Sequence, residues 1–127
     1  MEIKDIFSGF SVRSLDAAQA FYADTLGLRV SRDKMGMQIA LPHGGAVFVY
    51  EKPDHAPASF TILNLAVASI DATVKALVEK GVSFIHYDNL PAPQDELEIL
   101  RGKTAGMGPD IAWLTDPSGN IVAILEP

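Results

Sequence analysis

The 127-residue sequence predicts an α+β fold of two tandem βαβββ modules, and three observations carry that expectation. A Ser14-Leu15-Asp16-Ala17 run recurs as Ser69-Ile70-Asp71-Ala72. Each run opens a stretch of 3.6-residue apolar period that closes on a glycine. Each stretch is preceded by one run of strand-like composition and followed by three.

In order along the chain, Ile6–Arg13 reads as the first strand because it is rich in aromatic and β-branched residues. Ser14 is a natural N-cap, and Asp16 stands in the first turn, where a carboxylate meets the positive end of the helix dipole. Leu15, Ala18, Tyr22 and Leu26 share one helical face, and Gly27 supplies the left-handed residue that commonly ends a helix. Leu28–Arg32, Met37–Leu41 and Ala46–Tyr50 follow as strands. They are separated by turn residues at Lys34-Met35-Gly36 and Pro42-His43-Gly44-Gly45. The pattern then restarts. Phe60–Ala68 is a strand, Ile70, Val74, Leu77 and Val78 face a sheet from the second helix, and Gly81 ends it. Ser83–Tyr87, Pro109–Leu114 and Asn120–Leu125 are the closing strands, the last two joined by the tight turn Asp116-Pro117-Ser118-Gly119. Residues 88–107 carry Pro91, Pro93 and an acidic run without a period. They read as a long loop with room for a helical turn, and loops of that length are often binding elements.

The length fits one domain spanning residues 1–127, with module one at 1–53, a linker at 53–59 and module two at 60–127. Hydrophobic residues make up 48% and charged residues 20%, so the chain can bury a core. No run reaches the length of a membrane span. The start, Met1-Glu2-Ile3-Lys4-Asp5, lacks the basic and then apolar regions of a signal peptide, which makes the cytoplasm the expected location. The absence of cysteine removes disulfides, thiolate metal sites and cysteine nucleophiles. A net charge of −6 argues against nucleic-acid and anionic-membrane partners and favours a neutral or cationic ligand.

Phe21-Tyr22 ahead of Leu26-Gly27-Leu28, together with Gly108-Pro109-Asp110-Ile111-Ala112-Trp113 and the closing Asp116-Pro117-Ser118-Gly119-Asn120, resembles the glyoxalase/bleomycin-resistance/extradiol dioxygenase (vicinal oxygen chelate) superfamily over essentially the whole chain. The resemblance implies eight strands in two half-barrels around a cleft, helices outside, and a homodimer. Metal-using members ligate the ion with His, Glu or Gln, because a divalent cation needs several O or N donors. The corresponding places here are Phe7, Phe48, Ile62 and Ala123, all apolar, and their neighbours Ser8 and Thr61 add only hydroxyls. The expectation is therefore a member without metal or other cofactor.

His43 and His55 lie in Gly/Pro-rich turns and His86 at a strand start, with no pair at metal-ligand spacing, so surface or structural roles are expected of all three. No nucleophile elbow, phosphate loop or dinucleotide fingerprint is present. Because side chains alternate along strands, the face bearing Phe7, Phe48, Ile62 and Ala123 should also bear Gly9, Ser11, Tyr50, Asn64, Ile121 and Leu125. Ser11, Tyr50 and Asn64 would orient a ligand and Trp113 would stack on it. The competing reading is that Phe7, Phe48 and Ile62 fill the half-barrel, with Tyr50 and Trp113 as core or dimer contacts. The candidate binding set is thus Phe7, Ser11, Phe48, Tyr50, Ile62, Asn64, Trp113 and Ala123. It points to a protein that binds a small aromatic or amphipathic molecule, as in antibiotic sequestration. An enzyme using Asn64, Tyr50 or His86 for acid–base work ranks second, without an activated pair to support it, and a metal-dependent lyase, isomerase or dioxygenase ranks third.

Overall fold

Both repeated serines begin helices, and each helix start is completed from far along the chain. In the computed structural model, which describes residues 1–127, Ser14 Oγ accepts the Ala17 N–H and Ser69 Oγ accepts the Ala72 N–H, both at 3.2 Å. Glu51 accepts the Leu15 N–H at 3.0 Å and Glu126 accepts the Ile70 N–H at 2.9 Å. Each glutamate closes the last strand of its own repeat, so two of the donors a helix start leaves open are met in the same way twice.

The chain divides into two units, Met1–Pro57 and Ala58–Pro127. The first holds β1 (Gly9–Val12), α1 (Leu15–Gln19) continuing as a π-helical turn (Ala20–Thr25), β2 (Val30–Arg32), β3 (Met37–Ala40) and β4 (Ala46–Glu51). The second holds β5 (Thr61–Ala66), α2 (Ile70–Glu79), β6 (Leu100–Arg101), α3 (Gly102–Ala105), β7 (Asp110–Thr115) and β8 (Ile121–Glu126). The sheets have matching orders, β1-β4-β3-β2 and β5-β8-β7-β6, with the first strand parallel to the last and the other pairs antiparallel. This is the two-module α+β architecture read from the sequence.

In the first unit Phe10, Val12, Met37, Ile39, Val47 and Val49 are buried. Tyr22, fully buried, meets Phe10 at a ring separation of 5.8 Å. In the second, Ala112, Leu114, Val122 and Ile124 are buried along with Ile70, Val74 and Leu77 of α2. Alternation leaves the other face of each sheet less covered.

Several elements differ from the sequence reading. The first strand starts at Gly9, not Ile6, although the Phe48 N–H still reaches the Ser8 carbonyl at 2.9 Å. Val78 is half exposed, off the buried stripe of α2. Residues 83–87 are not a strand, and His86 therefore does not start one. Beside β7 the edge is shared: Leu100 and Arg101 pair with Ile111 and Asp110, and further along the Ile85 N–H donates to the Trp113 carbonyl at 2.8 Å. The bonds a strand partner would give residues 85–87 come from Gln94, whose amide accepts from the Tyr87 N–H at 2.7 Å and donates to the Ile85 carbonyl at 2.8 Å. The stretch expected to be a loop thus carries β6 and α3. It is anchored by Arg101, which donates to Asp71 of α2, to Asp95 and, at 3.5 Å, to Asp110. No helix is long and apolar enough to cross a membrane.

Candidate functional site

On the first sheet, register aligns Gly9 with Phe48 and Phe48 with Gln38, while Ser11 aligns with Tyr50. These side chains share the face opposite the buried one, and the Phe48 and Tyr50 rings stack at 5.8 Å with an interplanar angle of 17°. A concavity of about 1170 Å³ lies over this face. Phe48, Gln38, Phe7, Ile6, Met35 and Leu41 contribute to its lining, and Asp5 and Asp33 add two carboxylates. Phe7 sits outside any strand and is 65% exposed, so it does not plug the sheet. Asp33 Oδ1 accepts the Met35 and Gly36 N–H groups at 2.7 and 3.1 Å, and Asp5 Oδ1 accepts the Ile6 N–H at 2.8 Å. The second oxygen of each carboxylate is left for solvent or a ligand. No Lys or Arg lines the concavity.

Ser11 and Tyr50 lie further along the same face, outside this lining. Ser11 Oγ is 2.6 Å from Nδ1 of His55, which is 8% exposed. Forty-four residues separate the two, so no local motif announces the pair. Gln38 is also absent from the sequence-derived set. Its only signal is its place in the alternation of Met37–Ala40.

On the second sheet, Asn64 and Trp113 are the two cross-strand neighbours of Ala123, which is fully buried. The expected row held both Ile62 and Asn64, and only Asn64 stands beside Ala123. A β-bulge between Thr61 and Leu63 inserts Ile62 as an extra residue and shifts the register, so the alternation count fails there. Trp113 meets Tyr87 edge-on, ring centroids 5.2 Å apart.

The places where the resemblance would put metal ligands hold two phenyl rings, an aliphatic chain at a bulge and a buried methyl group. Even with Asn64 counted in place of Ile62, one amide oxygen is the only donor, so these residues do not fit a divalent cation. Elsewhere His86 Nδ1 bonds Glu98 at 2.7 Å with Asp88 at 3.6 Å, and the hydrogen bond to Glu98 holds the imidazole pKa above its ordinary 6.5. No group of three His, Cys, Asp or Glu side chains is placed to hold an ion.

The repeated βαβββ order and the two open faces define a class of small paired-module α+β proteins. The chain belongs to the Glyoxalase/Bleomycin resistance protein/Dioxygenase superfamily, whose family model matches residues 7–124. Among solved structures it is similar to an antibiotic-binding protein, TnmS3, from Streptomyces sp. CB03234, at 24% identity over 100% of this chain and 98% of that one, with a TM-score of 0.66. A superfamily member from Sphaerobacter thermophilus DSM 20745 shares 21% identity over 97% and 98% of the two chains, TM-score 0.66. Lactoylglutathione lyase from Agrobacterium tumefaciens shares 19% over 99% and 96%, TM-score 0.63. At these identities the likeness speaks to the fold. No curated protein matches the sequence.

Proposed function

We propose that this chain binds a small planar aromatic cation on the open face of its first unit, without a metal ion, in the manner of a protein that sequesters an antibiotic. One observation carries the reading: a concavity of about 1170 Å³ whose lining joins Phe7, Phe48, Met35 and Leu41 to the carboxylates of Asp5 and Asp33 and includes no cationic side chain. Aromatic faces and carboxylates both attract a cation, while the apolar surface favours burial of its rings. Stacking holds Phe48 and Tyr50 in place before a ligand arrives, which lowers the entropy cost of binding. The antibiotic-binding neighbour supports the same class of function. We take the working unit to be a homodimer, which sedimentation velocity measures directly.

The test is calorimetric titration with proflavine, a planar aromatic cation, against an anthraquinone sulfonate of similar size. The cation should bind and the anion should not. The Asp5→Asn/Asp33→Asn double variant should weaken proflavine by about tenfold, on the order of 1–2 kcal/mol for two partly solvated charges. Equal affinity for both dyes, or an unchanged double variant, sinks the reading. Stoichiometric divalent metal in the purified protein, measured by elemental mass spectrometry, would overturn the metal-free part of it.

The Ser11–His55 contact favours a second reading, metal-independent acid–base catalysis on the same face. It ranks below binding because the imidazole is buried and a general base must reach the substrate proton. A Ser11→Ala variant that keeps any turnover found would remove it.

A further inference from the structure

Sulfur in this chain is all thioether. The sequence holds four methionines and no cysteine, so a peroxide meets no thiol and can oxidise sulfur only at methionine. Met37 on β3 is fully buried. Met1, Met35 and Met107 are exposed, Met35 at 77% and Met107 at 45%. Of the four, Met35 alone lines the concavity over the open face of the first unit.

Met35 is also held where a change in its polarity would be felt. It sits in the turn between β2 and β3. Asp33 Oδ1 accepts the N–H groups of Met35 at 2.7 Å and Gly36 at 3.1 Å, and the Asp33 N–H donates to the Gly36 carbonyl at 2.9 Å, so the backbone of the turn is closed on itself. Gly36 lies against the Phe48 ring, since a Cβ built on it would stand 3.1 and 3.2 Å from two ring carbons. The turn therefore carries Met35 next to the aromatic side of the concavity, and its Asp33 supplies one of the two carboxylates there. A thioether at such a place is an apolar, polarisable contact for a ring.

We propose that Met35 is a modification site at which a peroxide weakens ligand binding to the first-unit face; the inference rests on the binding function proposed above. A lone pair of Sδ attacks one oxygen of hydrogen peroxide, and the S–O bond forms as the O–O bond breaks. Sulfur gives up two electrons, and the departing hydroxide takes the proton of the transferred oxygen and leaves as water. The resulting sulfoxide is polar and hydrated, and laying a ring face over it strips that water without supplying a donor. A methionine sulfoxide reductase reverses the step. The exposed sulfur is thus open to the oxidant, while the buried sulfur of Met37, two residues on, is protected.

The test treats the protein with dilute hydrogen peroxide and removes the oxidant. Peptide mass spectrometry then locates added oxygen at each methionine, and calorimetric titration with proflavine compares treated with untreated protein. Met35 and Met107 should gain oxygen and Met37 should not, and the treated wild type should bind proflavine at least about fivefold more weakly. Incubation with methionine sulfoxide reductases should restore the affinity. Met107→Leu should show the same loss on treatment. In Met35→Leu, which has no sulfur at that place, treatment should leave the variant's own affinity where it was. Three outcomes overturn the proposal and leave the binding function standing: Met35 unmodified once Met107 has reacted, equal proflavine affinity before and after treatment, or the same loss in Met35→Leu as in the wild type. Failure of the untreated wild type to bind proflavine overturns both.

Discussion

Asp116→Ala tests whether one buried carboxylate holds the β7–β8 hairpin that places Trp113 beside Ala123. Asp116 is 4% exposed, and its Oδ1 accepts the N–H groups of Ser118 at 2.8 Å and Asn120 at 2.9 Å. Its Oδ2 accepts from Asn120 Nδ2 at 2.9 Å, and Ser118 and Asn120 are each 2% exposed. Alanine removes the acceptor for three donors in a turn with little access to water. A buried donor that loses its partner costs about 1–3 kcal/mol, and because the losses share one turn and water can enter a loosened one, the total expected is about 3–5 kcal/mol rather than the full sum. That is a large fraction of the roughly 5–15 kcal/mol that stabilises a domain. In urea unfolding followed by circular dichroism, with a slope near 1.5 kcal/mol/M, the midpoint should fall by about 2–3 M with the slope unchanged. Asp116→Asn keeps an oxygen for the two backbone donors and loses only the bond to the Asn120 side chain, so it should cost about 1–2 kcal/mol. A loss below about 1 kcal/mol for the alanine variant would show that the backbone bonds of the turn suffice, and the reasoning would fail.

Other consequences are accessible to similar measurements. Glu98 raises the pKa of His86 above 6.5, so their pair contributes stability that is fully present below the unfolded value and is lost as pH rises through the higher folded value. The difference in Tm between wild type and Glu98→Gln should be largest near pH 6 and shrink toward pH 9; a constant difference would mean that protonation of His86 is irrelevant. Gly36 has φ 155°, and a Cβ built there lies 2.5 Å from the Val49 carbonyl oxygen and 3.1 Å from the Phe48 ring. Gly36→Ala should therefore cost about 1–3 kcal/mol in urea unfolding and weaken binding to the first-unit face, and a neutral effect on both would contradict the close packing. Ser11→Ala removes the 2.6 Å contact to buried His55 and should cost about 1–2 kcal/mol. Ser11→Thr, which keeps the hydroxyl, should recover most of that loss unless the contact is incidental.

The sequence by itself determined what depends on neighbours a few residues apart. Ser14 and Ser69 mark helix starts because a hydroxyl reaches a backbone N–H only three residues on, and Asp116-Pro117-Ser118-Gly119 turns because its carboxylate folds back on its own N–H groups. Strand alternation likewise put Phe48 with Tyr50 on one face, where their rings stack. Tertiary structure decided whatever depends on distant partners. Glu51 and Glu126 complete helix starts 36 and 56 residues away, and Gln94 replaces a strand partner for residues 85–87. His55, read as a turn residue, is buried beside Ser11. The bulge in β5 takes Ile62 out of the row that keeps Asn64 beside Ala123 and puts Thr61 there, because one inserted residue breaks the alternation and leaves no local mark. Of the lining of the first-unit concavity, Phe7 and Phe48 were legible in the sequence, whereas Asp5, Asp33, Met35 and Leu41 were not, since segments far apart in the chain are brought to one rim only by folding.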